Sequence, residues 1–274
     1  MMRIFSHQTL LGVCILACSR SVDAAINASG IFEVDLMFPR NDTYAPTSLL
    51  PVVFAFQNPK LMQYITPYVS FGVMEYPEDG PYIVSRVWGY PWGNISGEDP
   101  VTVYNSLPDP FFSYKAYTDD FNIEGTWVLD WIVGRDDCTT ESLSLNSSNF
   151  MRNTRSGSVV FTTKNSSQAV DLVSSNQTCS GYSGVAINIT HTLQIPSSAQ
   201  EHWQGAGEIC GVVASSTPSA NPCRVEIDAE VASSMSSSME SGACRSLTPI
   251  GIAQRLAIGG AVCLITAIAG WGAF

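Results

Sequence analysis

The sequence predicts an all-β fold, an immunoglobulin-like or related antiparallel β-sandwich. Three observations carry this. Short runs alternate apolar and polar side chains with period two, the mark of a half-buried strand. One run is apolar on both faces, as a central strand requires. Clusters of Pro, Gly, Asn and Asp separate the runs, as the turns of a sandwich demand.

The elements follow in chain order. From Ile31 the sequence reads IFEVDLMF, with Phe32, Val34, Leu36 and Phe38 on one face and Glu33 and Asp35 on the other; Pro39 ends the run. Val52 to Phe56 (VVFAF) is the central strand, and Pro59 to Ile65 is expected to form a helical turn. Tyr68 to Glu75 and Pro110 to Tyr117 alternate again. In TWVLDWIV, starting at Thr126, Trp127, Leu129, Trp131 and Val133 share a face and belong to the core. Ser158 to Thr163 is short and β-branched. Residues 25–165 therefore form the sandwich core.

Residues 166–232 are expected to complete the same domain, because so short and polar a segment buries a marginal core alone; a small satellite is the alternative. Val185 to Leu193 alternates, with Val185, Ile187 and Ile189 inward and Asn188 outward. Ile209 to Ser215 is a further strand, and Val225 to Met239 carries a weak helical pattern. Residues 233–241 are rich in serine and read as a stalk.

Both ends carry processing signals. Arg3, the apolar run Leu10 to Cys18 and the small-residue step at Ala24 make residues 1–24 a signal peptide. Residues 242–274 read as a glycolipid (GPI) anchor signal, with the cut after Ser241. The tail from Leu256 carries no charge, and a transmembrane helix from residue 256 is the alternative. The expected address is the outer leaflet of a plasma membrane, with possible transfer to a cell wall.

Eight cysteines are present, and these cuts leave Cys138, Cys179, Cys210 and Cys223. An oxidising compartment pairs four cysteines in one of three ways, among which sequence does not choose. The local pairing, Cys138–Cys179 and Cys210–Cys223, is the working expectation. With no earlier cysteine in the mature chain, an antibody-type bridge cannot form. Glycosylation triplets begin at Asn27, Asn41, Asn94, Asn146, Asn165, Asn176 and Asn188. The whole chain has a net charge of −11, and residues 25–241 keep 23 acids and 9 bases, a net of −14. Such a surface repels phosphate backbones, which argues against nucleic acid as a partner.

The runs GIFEVDLMFPRNDTYAP, PVVFAFQNP, GTWVLDWIV and SVVFTTKNSSQAVDLV, with the later GVAINIT and GVVASSTPSANPC, carry a resemblance. Over about residues 28–235 the chain resembles an uncharacterised family of ascomycete fungal secreted and surface proteins, the domain of unknown function number 7136. The resemblance implies a fungal surface glycoprotein and brings no activity, catalytic residue or cofactor.

The chemistry that the residues suggest is sparse. His191 and His202 are the histidines of the mature chain, and His191 is expected to face solvent or pack at a strand edge. Gly-x-Ser-x-Gly and His-Glu-x-x-His motifs are missing. No catalytic residue can be named, and neither a metal nor a cofactor is expected. Glu33, Asp35, Glu124 and Asp130 read as the solvated face of a sheet. The doublets Asp119-Asp120 and Asp136-Asp137 lack the spacing of a calcium loop. The candidate for recognition is the loop carrying Trp88, Tyr90 and Trp92, whose flat faces suit sugar rings or a protein partner; packing against the core is the alternative. Two functions follow. One is a non-catalytic structural, adhesion or carbohydrate-contact module that meets wall polysaccharide or another surface protein. The other is a carboxylate-dependent wall-polysaccharide hydrolase, which needs two carboxyl groups about 5 Å or about 6.5–9.5 Å apart across a groove.

Overall fold

The computed structural model describes residues 28–76, 87–89, 104–144, 151–173, 183–200, 203 and 207–241. Its strands are β1 (Gly30–Phe38), β2 (Thr43–Tyr44), β3 (Leu49–Gln57), β4 (Tyr68–Glu75) and β5 (Val87–Gly89). Then come β6 (Phe111–Thr118), β7 (Gly125–Asp137), β8 (Met151–Thr163), β9 (Ser183–Gln194) and β10 (Ile209–Val213). The helices α1 (Thr140–Ser144) and α2 (Ala229–Glu240) lie among them, with 3-10 turns at Pro59–Tyr64 and Pro222–Arg224.

The strands form two five-stranded sheets. Sheet one has the order β10-β9-β1-β3-β6 and sheet two the order β2-β8-β7-β4-β5. Among the described residues the strands pair antiparallel, apart from the short parallel contact of β2 with β8. Leaving aside the two-residue β2, the first seven strands divide as 1-2-5 in sheet one and 7-6-3-4 in sheet two.

Alternation decides what fills the space between the sheets. Phe32, Val34 and Leu36 of β1 point there, with Phe54 and Phe56 of β3 and Trp127, Leu129, Trp131 and Val133 of β7. Phe54 reaches across to Trp131, with ring centroids 5.6 Å apart, and to Phe71 at 5.4 Å. Trp127 is wholly buried yet satisfied, since its indole N–H donates to Thr163 Oγ1 at 2.8 Å. Gly157 lies opposite Trp131, and a Cβ there would stand 2.6 Å from the indole ring. The ring occupies the space a side chain would need.

Sheet one is buried on both faces. Its inner face meets sheet two, and the C-terminal segment crosses its outer face. Val225, Ile227, Ala232, Met235 and Met239 are buried there and belong to the same core as the sandwich. This explains why all of β3 from Leu50 to Gln57 is buried. The extension completes the domain, with β9 and β10 widening sheet one and the later residues roofing it.

Two expectations are corrected. Residues 233–241 are not an extended stalk. Residues 233–240 belong to α2, which is capped by Asp228, whose Oδ1 accepts the Val231 N–H at 2.8 Å. Its serines face solvent or sit half-buried, while Ala232, Met235 and Met239 recur at helical spacing on the buried side. The working pairing of cysteines also fails. Cys138 bonds Cys210, with Cα atoms 6.0 Å apart and a sequence separation of 72. The end of β7 lies against β10, where the Cys138 N–H donates to the Gly211 carbonyl at 3.1 Å. The bridge therefore ties sheet two to sheet one, over a second small core with Ile195, Ala199 and Trp203. Cys223 is also disulfide-bonded, to a cysteine outside the described residues.

Candidate functional site

The outer face of sheet two is open. Ile132 of β7 is 40% exposed, as is Val160 of β8. Asp130, Ser156 and Ser158 are exposed around them. Two large apolar side chains thus stand exposed among short polar ones on this face. Among the described residues, register puts Trp88, alone of the three predicted aromatics, on the edge strand of this sheet. Trp88, in β5, pairs with Ser70, which in turn pairs with Ile132, itself opposite Ser156. Tyr90 and Trp92 lie outside the described residues.

A different polar cluster lies on the outer face of sheet one. Glu33 and Asp35 follow each other on one side of β1 and point away from the sandwich core, as alternation predicts. They are not solvated: Glu33 is 4% exposed and Asp35 wholly buried. The cover is the segment of residues 215–224. Its Asn221 backbone N–H donates to Glu33 Oε1. Gln57, opposite Glu33 on β3, donates from Nε2 to Asp35 Oδ2 at 2.7 Å and to the Asn221 carbonyl at 3.3 Å. Gly184, opposite Asp35 on β9, makes room, since a Cβ there would fall 2.3 Å from Asp35 Oδ1 and 3.0 Å from the Ala220 Cβ.

Asp35 is the perturbed member of this pair. Burial pushes the Asp35 carboxyl up to about 8. A hydrogen bond to Glu33 and its charge add to this, opposed by the Gln57 hydrogen bond and by Arg224. Asp35 Oδ1 meets no N–H or hydroxyl donor among the described residues. The adjoining Glu33 carboxyl satisfies it only when one of the two groups is protonated.

The remaining predicted residues are dispersed. Glu124 and Asp130 are exposed, and Glu124 Oε1 accepts the Asn165 N–H at 2.6 Å. Asp119 sits in a turn at φ 68°, with its N–H on the Ser48 carbonyl at 2.9 Å. Asp136 and Asp137 are buried at the end of β7, where Arg135 pairs with Asp137 at 3.8 Å. His191 is half-buried on β9, beside the edge strand β10, with Nδ1 3.0 Å from Thr190 Oγ1. His202 lies outside the described residues. Of the glycosylation triplets, Asn41 and Asn165 are exposed and Asn188 is half-buried. Asn188 lines a small crevice with Arg135, Arg155 and Thr217. Asn27, Asn94, Asn146 and Asn176 fall outside the described residues, as does Cys179.

A family model described as a domain of unknown function, DUF7136, matches residues 27–251. The chain belongs to this family. No curated protein and no solved structure matches it. The DUF7136 match begins just before β1 and runs past α2, so the extension and the helix are part of the family's unit. Within this DUF7136 domain, sequence reasoning singled out the aromatic segment and took Glu33 and Asp35, which are buried, for a solvated sheet face. The signal for the pair was there in outline: two acids at i and i+2 on a strand, opposite a glutamine. What covers them comes from residues about 190 positions later and leaves no trace in the local pattern.

Proposed function

We propose that this chain is a fungal, secreted and surface-anchored glycoprotein whose β domain is a non-catalytic contact module for wall polysaccharide or another surface protein. The observation that carries the reading is the outer face of sheet two. Exposed Ile132 and Val160 lie among serines and Asp130, in register with Trp88. The strand order supports an immunoglobulin-like reading of the sandwich, since the first seven strands divide as A-B-E and G-F-C-C′ do in such folds. Glycolipid attachment at Ser241 would follow directly on α2, whose last turn bonds the Ser241 N–H to the Ser237 carbonyl at 3.1 Å. With the helix packed on the domain, such an anchor would hold the module close to the bilayer.

The alternative, a carboxylate-dependent polysaccharide hydrolase, gains nothing from the Glu33–Asp35 pair. These carboxyls are buried on one side of β1 under a segment of chain, whereas hydrolysis needs a pair facing each other across an open groove. The test is binding of the secreted protein to an array of wall polysaccharides, with Trp88→Ala and Trp92→Ala alongside. Specific binding lost in these variants is the expected result. Release of reducing ends from a polysaccharide would overturn the non-catalytic reading.

A further inference from the structure

We propose that Glu33 and Asp35 share one proton that latches residues 215–224 onto the outer face of sheet one, and that loss of this proton loosens the segment. The bonding scheme assigns each oxygen. Asp35 Oδ2 accepts from Gln57, so Oδ1 is the protonated oxygen and donates to Glu33. Glu33 accepts the Asn221 N–H through Oε1. Gln57 closes the ring by donating to the Asn221 carbonyl. One backbone unit of the covering segment is thus gripped at both its N–H and its carbonyl, and both grips run through the pair.

The groups around the pair leave the proton as its main compensation. On its own strand Asp35 faces Glu33. From β3 it faces the neutral Gln57, and from β9 the side-chain-free Gly184. From the covering segment the charge that acts on it is the exposed Arg224, together with the neutral Ala220 and Asn221. When the proton leaves, two carboxylates stand side by side away from water, and a solvent-screened guanidinium offsets little of that repulsion. Separating them means lifting Asn221 from Glu33. The movement stays local. The segment is held at its start by Ala214 N–H on the Asn188 carbonyl (2.9 Å), by Arg155 on Thr217 Oγ1 (2.9 Å), and at its end by the Cys223 disulfide.

The sign follows from linkage. Asp35 is raised to about 8 in the closed form and returns toward about 3.9 once open to water. Closure therefore takes up a proton, is complete on the acid side, and weakens as pH rises. One linked proton gives about a tenfold fall in the closed-to-open ratio per pH unit between those two values. The segment is held in acidic surroundings and loosened in alkaline ones.

The test is amide hydrogen exchange of Asn221 and its neighbours in the purified glycoprotein, as protection relative to β7 amides, from pH 5 to pH 9. Protection that falls about tenfold per pH unit to about pH 8 in the wild type, and is flat in Asp35→Asn, is the expected result. Asparagine keeps the shape, donates where the shared proton was, and cannot ionise. Equal slopes in the two proteins, or a flat wild type, would overturn the proposal. Should Asp35→Asn fail to fold, the wild-type carboxyl resonances decide. Asp35 titrating in the ordinary carboxylate range would equally overturn it.

Discussion

Gly184 shows how much one missing atom decides. A Cβ would meet Asp35 Oδ1 at 2.3 Å and Ala220 at 3.0 Å, so Gly184→Ala forces the buried carboxyl or the covering segment to shift. We expect a loss of about 1–3 kcal/mol in denaturant unfolding, the usual cost of overpacking. Gly72, whose Cβ would meet nothing within 4 Å, gives the control, and Gly72→Ala should change stability little. At this scale the sequence was legible in direction and silent about cover. Period two correctly turned Glu33 and Asp35 away from Phe32 and Val34, and correctly made Trp127 and Trp131 core. It could not say that the outward side is roofed, because an outward-facing acid looks the same under solvent and under a distant loop.

Elements tell the same story through their ends. In α2 the apolar positions Ala232, Met235 and Met239 were visible, yet the serines between them suggested a stalk. The helix forms because an Asp228 cap starts it and a sheet face receives its apolar side. Met235→Ala should therefore cost about 2–5 kcal/mol in thermal or denaturant unfolding, whereas the exposed Ser234→Ala should be near neutral. A stalk would make both silent. The cysteines failed for a related reason. Closeness in sequence favoured Cys138–Cys179, but the packing of the two sheets lays the end of β7 against β10 and makes Cys138 and Cys210 neighbours. A loop of that separation contributes about 4 kcal/mol in the chain-entropy account. For a mature chain of residues 25–241, cysteine arithmetic predicts Cys179 as the partner of Cys223. Mass mapping of non-reduced peptides should find both bridges, and a Cys179–Cys210 or Cys138–Cys223 peptide would contradict this.

For the whole molecule, β strands, their order of appearance and the role of the extension were legible, since alternation and turn residues are local. Sheet order and the double burial of sheet one were not, because they depend on which distant segments meet. Linkage gives a global prediction from the same pair. A carboxyl raised in the folded state stabilises fully below its unfolded value of 3.8 and loses that contribution as pH rises through about 8. The stability difference between wild type and Asp35→Asn, measured by denaturant unfolding, should therefore shift steadily in favour of the variant across that window. A constant difference would contradict it. Glycans offer a second check. Intact-glycopeptide mass spectrometry should find Asn41 and Asn165 occupied, and Asn188 less so, because its side chain lines the crevice beside residues 214–218.

The central claim is that the outer face of sheet two makes contact with wall material. Its most direct test is a hydrogen-exchange footprint of the secreted protein with and without the polysaccharide it binds best. Slowed exchange in β4, β5, β7 and β8, lost together with binding in Ile132→Glu, is the predicted result. A footprint confined to residues 215–224 or to sheet one, or binding indifferent to Ile132→Glu, would contradict the account.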